Sequence, residues 1–167
     1  APAGNREAFE AALAAGADAI YLGAGSFNAR RNADNFDIDD LRAACRDAHL
    51  RGACVYLTAN TLVFPGEMDD VLSMVTDAAE AGIDAAIVQD VGLMSVLRRE
   101  LPELELHAST QVCNMTPEQA RFLGECGFAR VILERALSLD EIRAICAATN
   151  AEVECFVHGA ICVGYSG

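Results

Sequence analysis

The densest chemistry in this sequence lies between Glu152 and Gly167. Alternation along an extended run sends Glu154, Phe156 and His158 to one face, which sets a carboxylate and an imidazole together inside a sheet or at its mouth. A lone glutamate is costly to bury, so Glu154 calls for a partner or a task. Cys162 comes four residues after His158, in a loop flanked by Gly159 and Gly164. A thiolate beside an imidazole is a nucleophile with its base, and a loop cysteine is equally a metal ligand. The other reading of a cysteine is a small apolar side chain, which suits Cys45, Cys54, Cys126 and Cys146 on helical faces or strands. The chain has 7 cysteines, an odd number without a C-x-x-C pair, which speaks against a secreted disulfide scaffold.

A second cluster is His107-Ala108-Ser109-Thr110-Gln111, an imidazole, two hydroxyls and an amide in five residues. Such a histidine serves as acid, base or ligand, or is a core imidazole bonded to backbone. Asn60 and Thr61, and then Gln89 and Asp90, come after apolar runs where a packing-only sequence would place turn residues. Asp90 precedes a helix and reads first as its cap, leaving Gln89 as the site candidate. Arg30 and Arg31 beside Asn28 offer planar donor forks for a carboxylate or phosphate, against the alternative of a solvated pair. Gly23-Ala24-Gly25-Ser26-Phe27-Asn28 resembles the start of a dinucleotide fingerprint, but the third glycine is missing and no helix begins there.

Composition removes whole classes of function. All 12 basic residues are arginine, so a Walker lysine, a Schiff-base lysine and a pyridoxal-phosphate anchor are excluded within these residues. The formal charge of -13 makes the surface as a whole repel phosphate backbones, so RNA would need a local patch and no DNA partner is expected. No uninterrupted apolar stretch is long enough to span a bilayer. Without a signal core at Ala1-Pro2-Ala3-Gly4-Asn5, the expected location is the cytosol. There is no initiator Met, so the chain is read as starting inside a longer protein.

The elements that carry these groups repeat. Four times a helix-like segment ends at glycine and an apolar run comes next, at Gly16, Gly52, Gly82 and Gly127. Glycine suits the left-handed position that closes a helix, and an apolar run without alternation suits a strand buried on both faces. Asp37 heads Ile38, Leu41, Cys45 and Ala48 at helical spacing, and Met68, Val71, Val75 and Ala78 repeat it. Thr116 to Gln119 and Ser138 to Glu141 are capping boxes, and Asn150 is expected to close the last helix. The pattern predicts helices near 5–15, 37–51, 67–81, 91–100, 116–126 and 138–149. Strands are predicted near 19–22, 54–58, 85–88, 105–107, 130–133 and 152–157. Strict alternation means an α/β fold with a parallel sheet.

Polar groups stand at the end of every strand, as in a (β/α) barrel of TIM type, whereas an open sheet gathers them at one switch point. A full barrel needs eight strands and roughly 250 residues. Residues 1–167 are therefore read as most of one barrel domain, incomplete at both ends, with one strand expected before Ala1 and a further βα unit after Gly167.

In its tail the chain resembles the collagenase-like peptidases of unknown catalytic type, family thirty-two. Their signature, E-x-F-x-x-G-[SA]-[LIVM]-C-x-x-x-x-G-x-C, is matched by Glu154, Phe156, Gly159, Ala160, Ile161, Cys162 and Gly167. Similar wording covers Ala1 to Asn5, Ala17 to Gly23, Phe27 to Arg30, Asn60 to Leu62, Gln89-Asp90 and His107 to Gln111. The resemblance implies an N-terminal barrel domain of a longer enzyme. Members are named for peptide or collagen cleavage, and others hydroxylate tRNA uridine, rRNA cytidine or the ubiquinone ring without oxygen. It further implies that Cys162 is the first of four cysteines around an iron–sulfur cluster. Where members read Arg-Glu-Leu-Ser, this chain has Arg135-Ala136-Leu137-Ser138, so a carboxylate is lost there unless Glu134 substitutes.

The leading expectation is a cluster-dependent hydroxylase of RNA or of a quinone. Cys162 is its metal ligand, His158, Glu154 and His107 are its catalytic groups, and Arg30, Asn60, Gln89, Gln111 and Arg135 bind the substrate. The alternatives are a peptidase using Cys162 and His158, and an idle barrel that binds RNA or a partner. A homo- or hetero-oligomer is left open.

Overall fold

Helix closure sets the rhythm of the chain. In the computed structural model Gly16, Gly52, Gly82 and Gly127 have φ of 81°, 74°, 106° and 102°, the left-handed region that the repeat predicts. Any residue with a Cβ would be strained there by about 1 kcal/mol. The structure describes residues 1–25, 27–28 and 36–159. Arg30, Arg31 and Cys162 lie outside the described residues.

Two compact units divide the chain, Ala1–Leu104 and Glu105–Gly167. The first contains β1 (Pro2–Ala3), α1 (Arg6–Ala14), β2 (Ala19–Gly23), α2 (Ile38–His49), β3 (Cys54–Ala59), α3 (Met68–Ala81), β4 (Ala85–Val88) and α4 (Val91–Glu100). Its strands pair in parallel in chain order, with Tyr21 opposite Tyr56, Gly23 opposite Thr58, and Thr58 opposite Ile87. One face of β2 and β3 is apolar and closed. Ile20, Leu22, Val55 and Leu57 are buried there, and Phe9, Leu41, Val71 and Val75 are among the buried residues of the helices. Each such side chain contributes about 1.5 to 3 kcal/mol through its removal from water.

The second unit contains β5 (Glu105–Ala108), α5 (Pro117–Cys126), β6 (Arg130–Ile132), α6 (Leu139–Ala148) and β7 (Glu152–Glu154). These strands are also parallel and sequential, with His107 opposite Arg130 and Arg130 opposite Glu152. Both predicted capping boxes are present, at Thr116 with Gln119 and at Ser138 with Glu141. Gly124 is required by close approach, because a Cβ there would stand 2.9 Å from the Thr149 hydroxyl. That hydroxyl donates to the Ala120 carbonyl at 3.1 Å and ties the end of α6 to α5.

Three sequence expectations are corrected. Pro2–Ala3 is a strand, paired with Tyr21 and Leu22, where the sequence pattern predicts none; two residues carry no periodicity by which to find it. Helix α6 ends at Ala148 with Thr149 extended, and Asn150 does not take the left-handed position. Finally, β7 stops at Glu154, because β6 offers no strand residue beyond Ile132 to pair with Cys155 or Phe156. The alternation that put Phe156 and His158 on the face of Glu154 therefore ends, and His158 is exposed beside Val157, which is 98% exposed.

Candidate functional site

Two layers separate in the second unit: a foot of charged residues around Arg130, the first residue of β6, and a rim just past the C-terminal ends of β5 and β6. Charged residues fill the foot. Glu105 and His107 share one face of β5 by alternation, and the register brings Arg130 and Glu152 alongside His107. Arg130 reaches Glu152 at 2.5 Å and Glu154 at 3.2 Å. His107 is 0% exposed, and its Nε2 lies 2.7 Å from a Glu105 carboxylate oxygen. Burial lowers the proton affinity of His107, and the positive charge of Arg130 adds to this, against the opposite pull of Glu105. The neutral ring must then donate from Nε2, since a carboxylate accepts only. Two of the sequence-predicted catalytic residues, His107 and Glu154, are thus engaged in one network of charges. The third, His158, stands apart on the exposed segment after β7.

The rim is built differently. After β5 the chain makes a single 3₁₀ turn, Thr110–Val112, held by the Ser109 hydroxyl accepting from Gln111 N–H at 3.1 Å. Cys113 comes next at φ 62°, the one non-glycine residue in the left-handed region among the described residues. This strained step of about 1 kcal/mol delivers Asn114 into the protein, where it is 1% exposed. Asn114 Nδ2 donates to the carbonyls of Ser109 at 3.3 Å and Ile132 at 3.1 Å. Two carbonyl partners fix the amide orientation, because only the nitrogen can donate. Its Oδ1 is left buried with no hydrogen-bond partner.

Glu134 is the neighbour of Asn114 across the strand ends, donating its backbone N–H to the Asn114 carbonyl at 3.1 Å. Its side chain is 7% exposed; Oε2 accepts from Arg135 N–H at 3.3 Å, and Oε1 is buried without a partner. The Arg135 guanidinium lies over the Phe156 ring, 4.0 Å from its centroid, a cation–π contact. Gln111 and Arg135, both predicted as substrate residues, are half-buried at this rim.

Within the first unit Asn60 and Gln89 are half-buried just past the ends of β3 and β4. Thr61, next to Asn60, also has a buried hydroxyl with no hydrogen-bond partner. Asp90 is the helix cap the sequence suggests: Oδ1 accepts from Leu93 N–H at 2.9 Å, while Oδ2 accepts from Val63 N–H at 3.2 Å and steadies the loop after β3. That loop presents Leu62 and Phe64 to solvent. Cys45 is buried as expected, and burial together with Asp84 pushes its thiol up to about 11. Cys146, expected on a packed face, is exposed instead.

Sequence reasoning passes over Asn114 and leaves Glu134 as a substitute only. Glu134 had a signal, a carboxylate directly after the buried run Val131-Ile132-Leu133. Asn114 had none, since its burial depends on the left-handed turn at Cys113. Among the described residues no three His, Cys, Asp or Glu side chains come together as a metal-binding group. The cluster implied by resemblance has its candidate ligand, Cys162, outside them. The described residues place buried oxygens, a guanidinium and amide groups at strand ends.

The sequence pattern described as Peptidase family U32 matches residues 4–167. The chain is 43% identical over 99% of its length to a 23S rRNA 5-hydroxycytidine synthase of Escherichia coli, covering 25% of that protein. It is 39% identical over its full length to a tRNA hydroxylation protein of Bacillus subtilis, covering 40% of it. A collagenase of Porphyromonas gingivalis is 36% identical, with 42% covered. The chain therefore spans between 25% and 42% of the lengths of these relatives. Among solved structures, the U32 peptidase Mk0906 superposes with a TM-score of 0.76 at 19% identity, over 92% of this chain and 66% of that one. The shared fold is the (β/α) barrel, of which this chain is an incomplete part.

Proposed function

Because this chain belongs to Peptidase family U32, whose members above carry both RNA-hydroxylating and collagenase names, we propose that it serves the hydroxylation of a pyrimidine in rRNA or tRNA. The observation that carries this reading is the 43% identity, over 99% of the chain, to an rRNA hydroxycytidine synthase. The rim suits such a substrate. Amide, carboxylate and guanidinium groups at strand ends are the side chains that read base edges, and barrel chemistry sits at that end of the strands. Because the chain is strongly acidic, contacts to phosphate fall to local arginines, Arg135 among them.

Hydroxylating a ring carbon is a two-electron oxidation, which requires a co-substrate that donates the oxygen atom and an acceptor for the two electrons. An iron–sulfur cluster, with Cys162 as the candidate ligand, would relay electrons to that acceptor, while the described residues bind and orient the base. No helix is long and apolar enough to cross a membrane among the described residues, and an RNA substrate would place the protein in the cytosol. A peptidase reading has one observation in its favour, the 36% identity to a collagenase. It would need His158 and Cys162 as base and nucleophile.

The test is nucleoside mass spectrometry of rRNA and tRNA from cells lacking the full-length protein. A hydroxylated pyrimidine should disappear and return on complementation. Unchanged nucleosides, together with peptide cleavage by the purified protein, would overturn the proposal.

A further inference from the structure

Phosphate contacts on a chain of charge -13 need a local cationic face, and residues 42–51 supply one. Arg42, Arg46, His49 and Arg51 stand there against a single carboxylate, Asp47. Asp47 is already engaged, since it pairs with Arg6 of α1. Helical spacing puts Arg42, Arg46 and His49 on one face of α2, at i, i+4 and i+7. All three line a cavity of about 470 Å³ together with Cys45, Leu50 and Ala81. That volume is in the range of small-ligand sites.

The positive charge of this wall is available. Arg42 holds only Asp39, at 2.9 Å, in an exposed i,i+3 pair of the kind that is worth little in water. Among the described residues neither Arg46 nor Arg51 has a carboxylate partner. His49 is engaged with Asp84 at 3.0 Å, so the arginines carry the charge. The negative end of the α2 dipole favours cations in the last turn, which accounts for Arg46 and His49. Arg42 lies a turn further back, beyond that influence.

Resting on the RNA reading above, we infer that this cavity seats a phosphodiester of the substrate RNA, held by Arg42 and Arg46. Guanidinium forks match phosphate oxygens. The location suits the role, because α2 starts beside the end of β2, where Ala24 bridges to Phe36. Arg42 and Arg46 are about 6 and 12 Å along the helix from Ile38. A strand whose target base lies at the strand ends can therefore reach this face within a few nucleotides.

The probe is a labelled single-stranded oligouridine, because a phosphate contact is blind to sequence, titrated with the full-length protein between about 50 mM and 1 M salt. Arg42→Gln with Arg46→Gln should flatten the plot of log affinity against log salt by about 1.4, or about 0.7 for each phosphate neutralised on a single strand. At about 50 mM the affinity should fall by about 10-fold to 100-fold. Arg42→Lys with Arg46→Lys should keep the slope, since counterion release follows charge. Arg99→Gln with Arg143→Gln, an equal charge change at other exposed positions, should keep it too. An unchanged slope in the first variant overturns the inference, as does an equal loss in the Arg99 and Arg143 variant or a wild type that does not bind the probe. Displacement of the RNA by micromolar inorganic phosphate, or by polyglutamate at equal charge concentration, would assign the cavity to a free anion or an acidic protein and overturn it as well. Hydroxylation is judged separately, by the nucleosides of the deletion strain. Binding that fails while those nucleosides change overturns this inference alone, and nucleosides that stay unchanged take both down.

Discussion

At the foot of the second unit, Arg130 joins Glu152 and Glu154, and His107 joins Glu105, so every one of these charged groups is engaged. At the rim above, Asn114 and Glu134 each keep one buried oxygen with nothing to bind. The two layers lie on the same short strands and use similar residue types. One ties its charges into ion pairs across the sheet, and the other leaves two buried oxygens unpaired. Two of the catalytic candidates that the sequence picks by residue type, His107 and Glu154, fall in the first layer.

Substitutions should separate the layers. The largest stability effect is expected at Asn114, whose amide nitrogen ties the rim together while its oxygen stays unpaired. Asn114→Ala strips the Ser109 and Ile132 carbonyls of a buried donor and should cost about 2 to 4 kcal/mol, read as a lower urea midpoint at unchanged slope. Arg130→Ala breaks the foot. Because Glu152 is mostly exposed, the loss should be nearer about 1 to 2 kcal/mol.

Protons probe the same layer more gently. His107 binds a proton less readily folded than at its ordinary 6.5, so the unfolded chain takes up the proton first as pH falls. Stability contributed this way is complete above about 6.5, falls as pH drops below it, and levels off once the folded-state value is passed. Unfolding titrations between pH 8 and 5.5 should show this slope, and His107→Asn should flatten it. Glu152, whose carboxylate Arg130 holds below its ordinary 4.5, acts in a separate, more acid window and with the same sign. The smallest effect is the most informative. Glu134→Gln removes an under-partnered buried carboxylate and should raise stability by up to about 1 kcal/mol while impairing function, as substituted binding residues do. A loss of stability there as large as at Arg130 would erase the contrast.

Much of this architecture is legible in the sequence because its signals are local. Glycine closures, capping boxes and apolar runs each act within a few residues, and α4 and β4 fall on their predicted bounds. The features that escape are set by partners distant in sequence. Pro2–Ala3 is a strand only because Tyr21 and Leu22 lie beside it. Glu154 stops being a free carboxylate only because Arg130, twenty-four positions earlier, reaches it. Asn114 becomes part of a site only through the turn at Cys113 and the carbonyl of Ile132. Residue type points to both layers alike, and pairing tells them apart.

We propose that the second unit presents a pyrimidine-reading rim to an RNA substrate of the full-length protein. The most direct test is the hydroxylated pyrimidine content of rRNA and tRNA in cells whose only copy of the full-length protein is wild type or Glu134→Gln, at matched protein levels. A hydroxylated nucleoside present with the wild type should drop about 10-fold or more in the variant. Identical RNA in both strains, and in a strain with no copy, would contradict it.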